Sequence, residues 1–134
     1  MSVSQPLPTT GQVLLVEDDD SARDMFAAAL RLRGYHVRTA ADGLAALRLL
    51  DEFDPDVVVV DLSLPIASGF EVLHEVRAAM GTRNIPVIAI SGHERGVQLA
   101  KENPEFFAAL QKPFDPEALL RTVARAVRHR QQAI

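Results

Sequence analysis

The sequence predicts an α/β fold: a doubly wound, five-stranded parallel sheet with five helices on its two faces. Two observations carry this expectation. Strand-like apolar runs alternate with helix-like segments five times along the chain, the pattern of parallel strands joined by right-handed helical crossovers. Three of those runs, QVLLVE at 12–17, DVVVVD at 56–61 and PVIAIS at 86–91, are almost uninterrupted by polar residues, as burial on both faces of a parallel sheet requires.

Taken in order, the elements read as follows. The run at 12–17 is the first strand and ends in acids. The segment DDDSARDMFAAALRLRG places acids and Ser21 at a helix start, spaces Met25, Phe26, Ala29 and Leu30 for one helical face, and stops at Gly34. YHVRTA (35–40) alternates as an outer strand does, and DGLAALRLLDEFDP is a helix ending before Pro55. The valine run is the third strand. GFEVLHEVRAAMG (69–81) sets Phe70, Val72, Leu73, Val76 and Met80 near one face, and the run at 86–91 is the fourth strand. ERGVQLAKEN is a short, weakly patterned helix, and FFAALQ (106–111) is a weaker fifth strand. DPEALLRTVARAVRHR (115–130) is a strong helix with Asp115 at the cap and Pro116 in the first turn.

Composition narrows the function classes. At 134 residues, with 48% apolar residues, the chain is one globular domain with a core of its own. Expected boundaries are a disordered tail over 1–11, the domain over 12–130 and a short tail over 131–134. A net charge of −4 argues against a general nucleic-acid binder. Without cysteine there are no disulfides and no thiolate metal sites. No apolar run approaches the roughly 20 residues of a membrane helix, and MSVSQPLPTTG has no signal-peptide pattern. A cytoplasmic location is therefore the expectation. Arginines outnumber lysines twelve to two, which draws attention to each lysine.

In such a sheet the carboxyl ends of the strands share one rim, where ligands bind. The first strand brings Glu17, Asp18 and Asp19 there, the third Asp61, the fourth Ser91 and the fifth Lys112 followed by Pro113. Asp61 is the most telling of these. An acid ending a valine run costs desolvation unless it serves a site. Clustered carboxylates repel one another, and a hard cation relieves that repulsion. Oxygen ligands without His or Cys suit Mg²⁺. With an ammonium and a hydroxyl beside them, they make a receptor for a phosphoryl group, and a carboxylate can itself be the nucleophile. Asp19 and Asp20 read instead as the cap and first-turn charge of the first helix. The four histidines are scattered, and Arg121, Arg125 and Arg128 read as a solvated face of the last helix.

VLLVEDDDSAR, VVVVDLSLPIASG, AISGH and QKPF, in that order and each at a strand end, resemble the receiver domains of two-component response regulators over about residues 12–128. The resemblance implies the flavodoxin-like strand order 2-1-3-4-5. It implies Asp61 as phosphoacceptor, with Ser91 as the switch hydroxyl and Lys112 as the partner of the phosphoryl group. It further implies Glu17 and Asp18 as the acidic pair for Mg²⁺, Asp18 the more direct ligand, with Asp61 and the backbone carbonyl of Ser63 completing the protein ligands. Pro113 matches a proline that family members hold in a cis peptide. One departure stands out: the family's aromatic residue three positions before the lysine is replaced here by Ala109.

The expected function is phosphoacceptor signalling. A histidine kinase or histidine phosphotransfer protein supplies the phosphoryl group, and the modified chain switches its binding to a downstream protein target. Direct contact with nucleic acid or membrane is not expected, and a weak or phosphorylation-dependent dimer fits the reading. The chain ends about four residues after the last helix, so a single-domain regulator is expected. The alternative is a receiver-fold interaction module that does not use phosphorylation. A Mg²⁺-dependent phosphatase fits less well, because Ser63 stands where that chemistry wants a second acid. The chain is therefore not expected to be an enzyme beyond its own phosphorylation and dephosphorylation.

Overall fold

The computed structural model describes residues 11–64, 68–79 and 84–133. Pro65, Met80 and Gly81 lie outside these, as does all of the expected N-terminal tail except Gly11. The chain runs β1 (Gln12–Val16), α1 (Asp20–Leu32), β2 (His36–Ala40), α2 (Gly43–Leu50), β3 (Val57–Asp61), α3 (Gly69–Ala78), β4 (Val87–Ser91), α4 (Glu94–Glu102), β5 (Ala108–Gln111) and α5 (Pro116–Ala133). All strand pairs are parallel, in the order β2-β1-β3-β4-β5. This is the flavodoxin-like order expected from the sequence.

Strand alternation splits the core in two. Leu14, Val16, Val58, Val60, Val87 and Ala89 face α2, α3 and α4. Val13, Leu15, Val57, Val59, Ile88 and Ile90 face α1 and α5. A polar residue in the middle of β1, β3 or β4 would therefore be buried whichever way it pointed, and those strands carry none. The polar residues gather at the strand ends because only there does the chain leave the core.

Helix starts follow their caps. The carboxylates of Asp19 and Asp42 and the hydroxyl of Ser68 accept from the backbone N–H three residues on, at the starts of α1, α2 and α3. Asp115 does similar work for α5, accepting from Glu117 N at 2.9 Å. Gly69 opens α3 because nothing larger fits. A Cβ there would lie 2.7 Å from the Asp61 carbonyl oxygen and 2.9 Å from Leu62 Cα. This close approach presses α3 onto the loop that leaves the acid strand.

Several sequence expectations shift. Met25 is about half exposed, and Ala27 takes its place in the core beside Phe26 and Leu30. Helical spacing alone does not distinguish the two flanks of an apolar stripe. Phe70 is also exposed at 37%, its ring edge-on to Phe106 at 5.5 Å. The fifth strand starts at Ala108 rather than at Phe106, and α5 continues to Ala133 rather than ending at Arg130.

Candidate functional site

Register brings the strand-end residues level. Val16 pairs with Val60, so Glu17 stands beside Asp61 one step on. Asp61 pairs with Ile90 and Ser91 with Gln111, which puts Ser91 and Lys112 at the next level of the same rim. Glu17 is fully buried, Asp61 is 4% exposed and Ser91 fully buried, while Asp18 is exposed.

The Lys112 ammonium lies between two of these acids. Its Nζ donates to Glu17 Oε1 at 2.5 Å and to Asp61 Oδ2 at 2.7 Å. The other oxygen of Asp61, Oδ1, accepts from the Ser63 amide at 2.8 Å. Glu17 Oε2 accepts from the Asp19 amide at 3.2 Å. The Lys112 amide donates to the Ser91 carbonyl at 2.7 Å, and the Lys112–Pro113 peptide is cis, as expected. Phe114 stacks on Phe26 of α1 at 5.1 Å, so the segment after Lys112 is packed as well as hydrogen-bonded.

The electrostatics follow from burial. Desolvation pushes the Glu17 carboxyl above the usual carboxylate range, and the nearby Asp61 adds to the shift, although hydrogen bonds from Lys112 and Asp19 oppose it. Burial alone would lower the Lys112 ammonium. Its hydrogen bonds to Asp61 and Glu17 outweigh that and raise it, so Lys112 is charged at neutral pH.

Ligand oxygens of Glu17, Asp18 and Asp61 all lie within 4.8 Å of one another. A set of two buried carboxylates and one exposed one, with no His or Cys among them, fits a hard cation such as Mg²⁺. Asp19 and Asp20 are turned to other work. Asp19 caps α1, and Asp20 pairs with Arg23.

Ser91 faces α4. Its Oγ accepts from the His93 amide at 3.0 Å, and a Cβ at Gly96 would lie 3.4 Å from it. Ala109 pairs with Ala89, so the register has not slipped to bring Phe106 or Phe107 into its place. Two contributors escaped the sequence reading. Arg23 donates to the Glu17 backbone carbonyl at 3.0 Å, and Gly69 supports the Asp61 loop. Their only sequence signal is position: a basic residue one turn into the helix after the acids, and a glycine opening the helix after Asp61.

The family model for the response regulator receiver domain matches residues 13–124. Similar curated proteins include the DNA-binding dual master transcriptional regulator RpaA of Synechocystis sp., 31% identical over 120 residues, which cover 87% of this chain and 49% of that one. The regulatory protein AtoC of Escherichia coli is 32% identical, with 92% of this chain and 28% of that one covered. The chain thus spans about half or less of such relatives. Among solved structures, chemotaxis response regulator CheY4 of Vibrio cholerae aligns with a TM-score of 0.79 at 34% identity, covering 87% of this chain and 98% of that one. The receiver domain of the sensor histidine kinase PA1611 of Pseudomonas aeruginosa, with magnesium coordinated in its active-site cleft, aligns at 0.77 and 31%, covering 88% and 98%.

The raised Glu17 predicts a pH dependence of known sign. An acid whose pKa rises on folding binds more protons folded than unfolded, so its contribution to stability falls as pH rises. The window opens at the unfolded value of about 4.3 and closes above the folded one. Lys112 is charged throughout that window; its stabilisation is present at neutral pH and is lost only above the ordinary lysine range. Urea unfolding in a metal chelator should show wild type losing stability relative to Glu17→Gln as pH rises from about 4. A difference growing in favour of wild type would mean that Glu17 behaves as an ordinary ion-pair acid.

Proposed function

Because the chain belongs to the response regulator receiver family, we propose that Asp61 is its phosphoacceptor. The phosphoryl group comes from a histidine kinase or a histidine phosphotransfer protein in a Mg²⁺-dependent reaction. The observation that carries this reading is the setting of the Asp61 carboxylate. It sits at the end of a rigid apolar strand, between the Lys112 ammonium and the Ser63 amide, with Glu17 and Asp18 within reach of the same cation.

In the transfer, an Asp61 oxygen bonds to phosphorus as the bond from phosphorus to the imidazole nitrogen of the donor breaks. The electron pair stays on that nitrogen, which takes up a proton from water. Glu17, Asp18, Asp61 and the Ser63 carbonyl are the residues that would hold Mg²⁺. Bound there, Mg²⁺ would supply positive charge to offset that of the phosphoryl oxygens. Lys112, which holds Asp61 Oδ2 in the resting form, is placed to move its ammonium to a phosphoryl oxygen.

The signal leaves through α4. Ser91 Oγ is the acceptor for the His93 amide, and His93 is the N-cap residue of α4 and caps it with no side-chain hydrogen bond. When the Ser91 hydroxyl turns to a phosphoryl oxygen, that acceptor is withdrawn from the start of the helix. Only Val97 and Ala100 of α4 are buried, so the helix has little packing to resist a shift. The approach to β5 is held more firmly: Phe106 is buried against Phe70, and Arg77 donates to the Glu105 carbonyl at 2.6 Å. Ala109 offers no ring to move. Phosphorylation therefore changes the α4 surface, and a downstream protein that binds one state better reads the change.

Two experiments test this. Incubation with a small phosphoramidate donor and Mg²⁺ should add one base-labile phosphoryl group to wild type and none to Asp61→Asn. Labelling of that variant would identify a different acid as acceptor, and an unlabelled wild type would favour the interaction module. Amide hydrogen exchange on the phosphorylated chain should change over residues 92–104 and stay constant over 106–111. The reverse pattern would place the output on β5.

A further inference from the structure

We propose that Arg23 is a positioning residue for the metal-binding acids: it sets the turn that presents Asp18. The proposal rests on the reading that Glu17, Asp18 and Asp61 hold Mg²⁺. Arg23 lies one turn into α1, and its amide closes that turn by donating to the Asp19 carbonyl at 2.9 Å. Its side chain then folds back over the acids. Nη1 donates to the backbone carbonyl of Glu17 at 3.0 Å, and Nη2 to Asp20 Oδ1 at 2.5 Å. The side chain is only 18% exposed, whereas that of Asp20 is 84% exposed.

These contacts complete the fixing of Glu17. Its amide donates to the Ala40 carbonyl, its carboxylate takes Lys112 and the Asp19 amide, and its carbonyl takes Arg23. Asp18 follows directly, exposed, between a residue locked at the end of β1 and the cap of α1. Where its carboxylate points is decided by the backbone of this turn, and Arg23 is the side chain that spans it. The exposed pair with Asp20 contributes little by itself. The grip on the Glu17 carbonyl is the part that acts, a charge-assisted hydrogen bond in a shielded place.

Position and charge make opposite predictions, which gives the test its sign. A cation close to a metal site repels the metal, so if Arg23 acted by charge alone its removal would tighten Mg²⁺ binding. If it positions Asp18, its removal loosens binding despite the relieved repulsion. The chain has no tryptophan to report binding, so MgCl₂ is titrated by calorimetry, with amide shifts of residues 17–19 followed by NMR. Arg23→Gln is expected to bind Mg²⁺ roughly tenfold more weakly than wild type, with the metal-free amide signals of residues 17–19 displaced and those of the sheet core unchanged. Unchanged or tighter binding overturns the proposal. So does a fall in the unfolding midpoint that is equal with and without Mg²⁺ while affinity holds, because that marks a purely structural role. Should Arg23→Gln not fold, Arg23→Lys, which keeps the charge but not the two-pronged grip, is read by the same outcomes. Failure of wild type itself to bind Mg²⁺ would reject the metal reading instead, and is distinguishable from either result.

Discussion

The ammonium of Lys112, held between the buried carboxylates of Glu17 and Asp61, is the interaction on which the rim depends. Taking a carboxylate out of water costs several kcal/mol unless it is paired and hydrogen-bonded. Here two acids on neighbouring strands are buried side by side, and one lysine serves both. It arrives from β5, the outer strand beyond β4, so the charge balance of the sheet's centre ties that outer strand to the interior. Under the proposed function, the same ammonium occupies Asp61 Oδ2 in the resting form and would pass to the phosphoryl group when one arrives.

The rest of the sheet holds that arrangement still. Because β1, β3 and β4 are apolar on both faces and packed between two helix layers, their registers are fixed. A slip by one residue would displace Glu17 from Asp61. Gly69 presses α3 against the Asp61 carbonyl, the Ser63 amide returns to the carboxylate, and Phe114 stacks on Phe26. Rigidity on the acid side contrasts with the light anchoring of α4, two buried residues over nine. Under the proposed function, the first property would hold the phosphoryl group and the second would let the α4 surface change.

Much of this could be read from the residues. The three central strands were legible because burial on both faces leaves continuous apolar runs, and their polar ends pointed to the rim directly. The caps Asp19 and Asp115 belong to local patterns that need no knowledge of the rest of the fold, whereas the cis Pro113 was an expectation from the family resemblance. What was not legible depends on through-space contacts. Met25 and Ala27 exchange places because the apolar stripe of α1 is set by where the sheet lies, not by spacing. Phe70 stays near the surface because its partner, Phe106, lies just before β5. The role of Arg23 is invisible in sequence because its partner is a backbone carbonyl, which any residue at position 17 would offer. That Glu17 and Asp61 share one lysine could be suspected from strand order, but the shared hydrogen bonds emerge only from the register.

The central claim is that the rim is a phosphoryl receptor centred on Asp61, with its charge balanced by Lys112 and a cation held by the acids. Trifluoroberyllate, a non-covalent mimic of the phosphoryl group, probes it most directly by fluorine NMR. The account predicts a bound signal for wild type only when Mg²⁺ is present, its loss in Asp61→Asn, and its weakening in Lys112→Met. A bound signal that persists without Mg²⁺ or in Asp61→Asn would contradict the account.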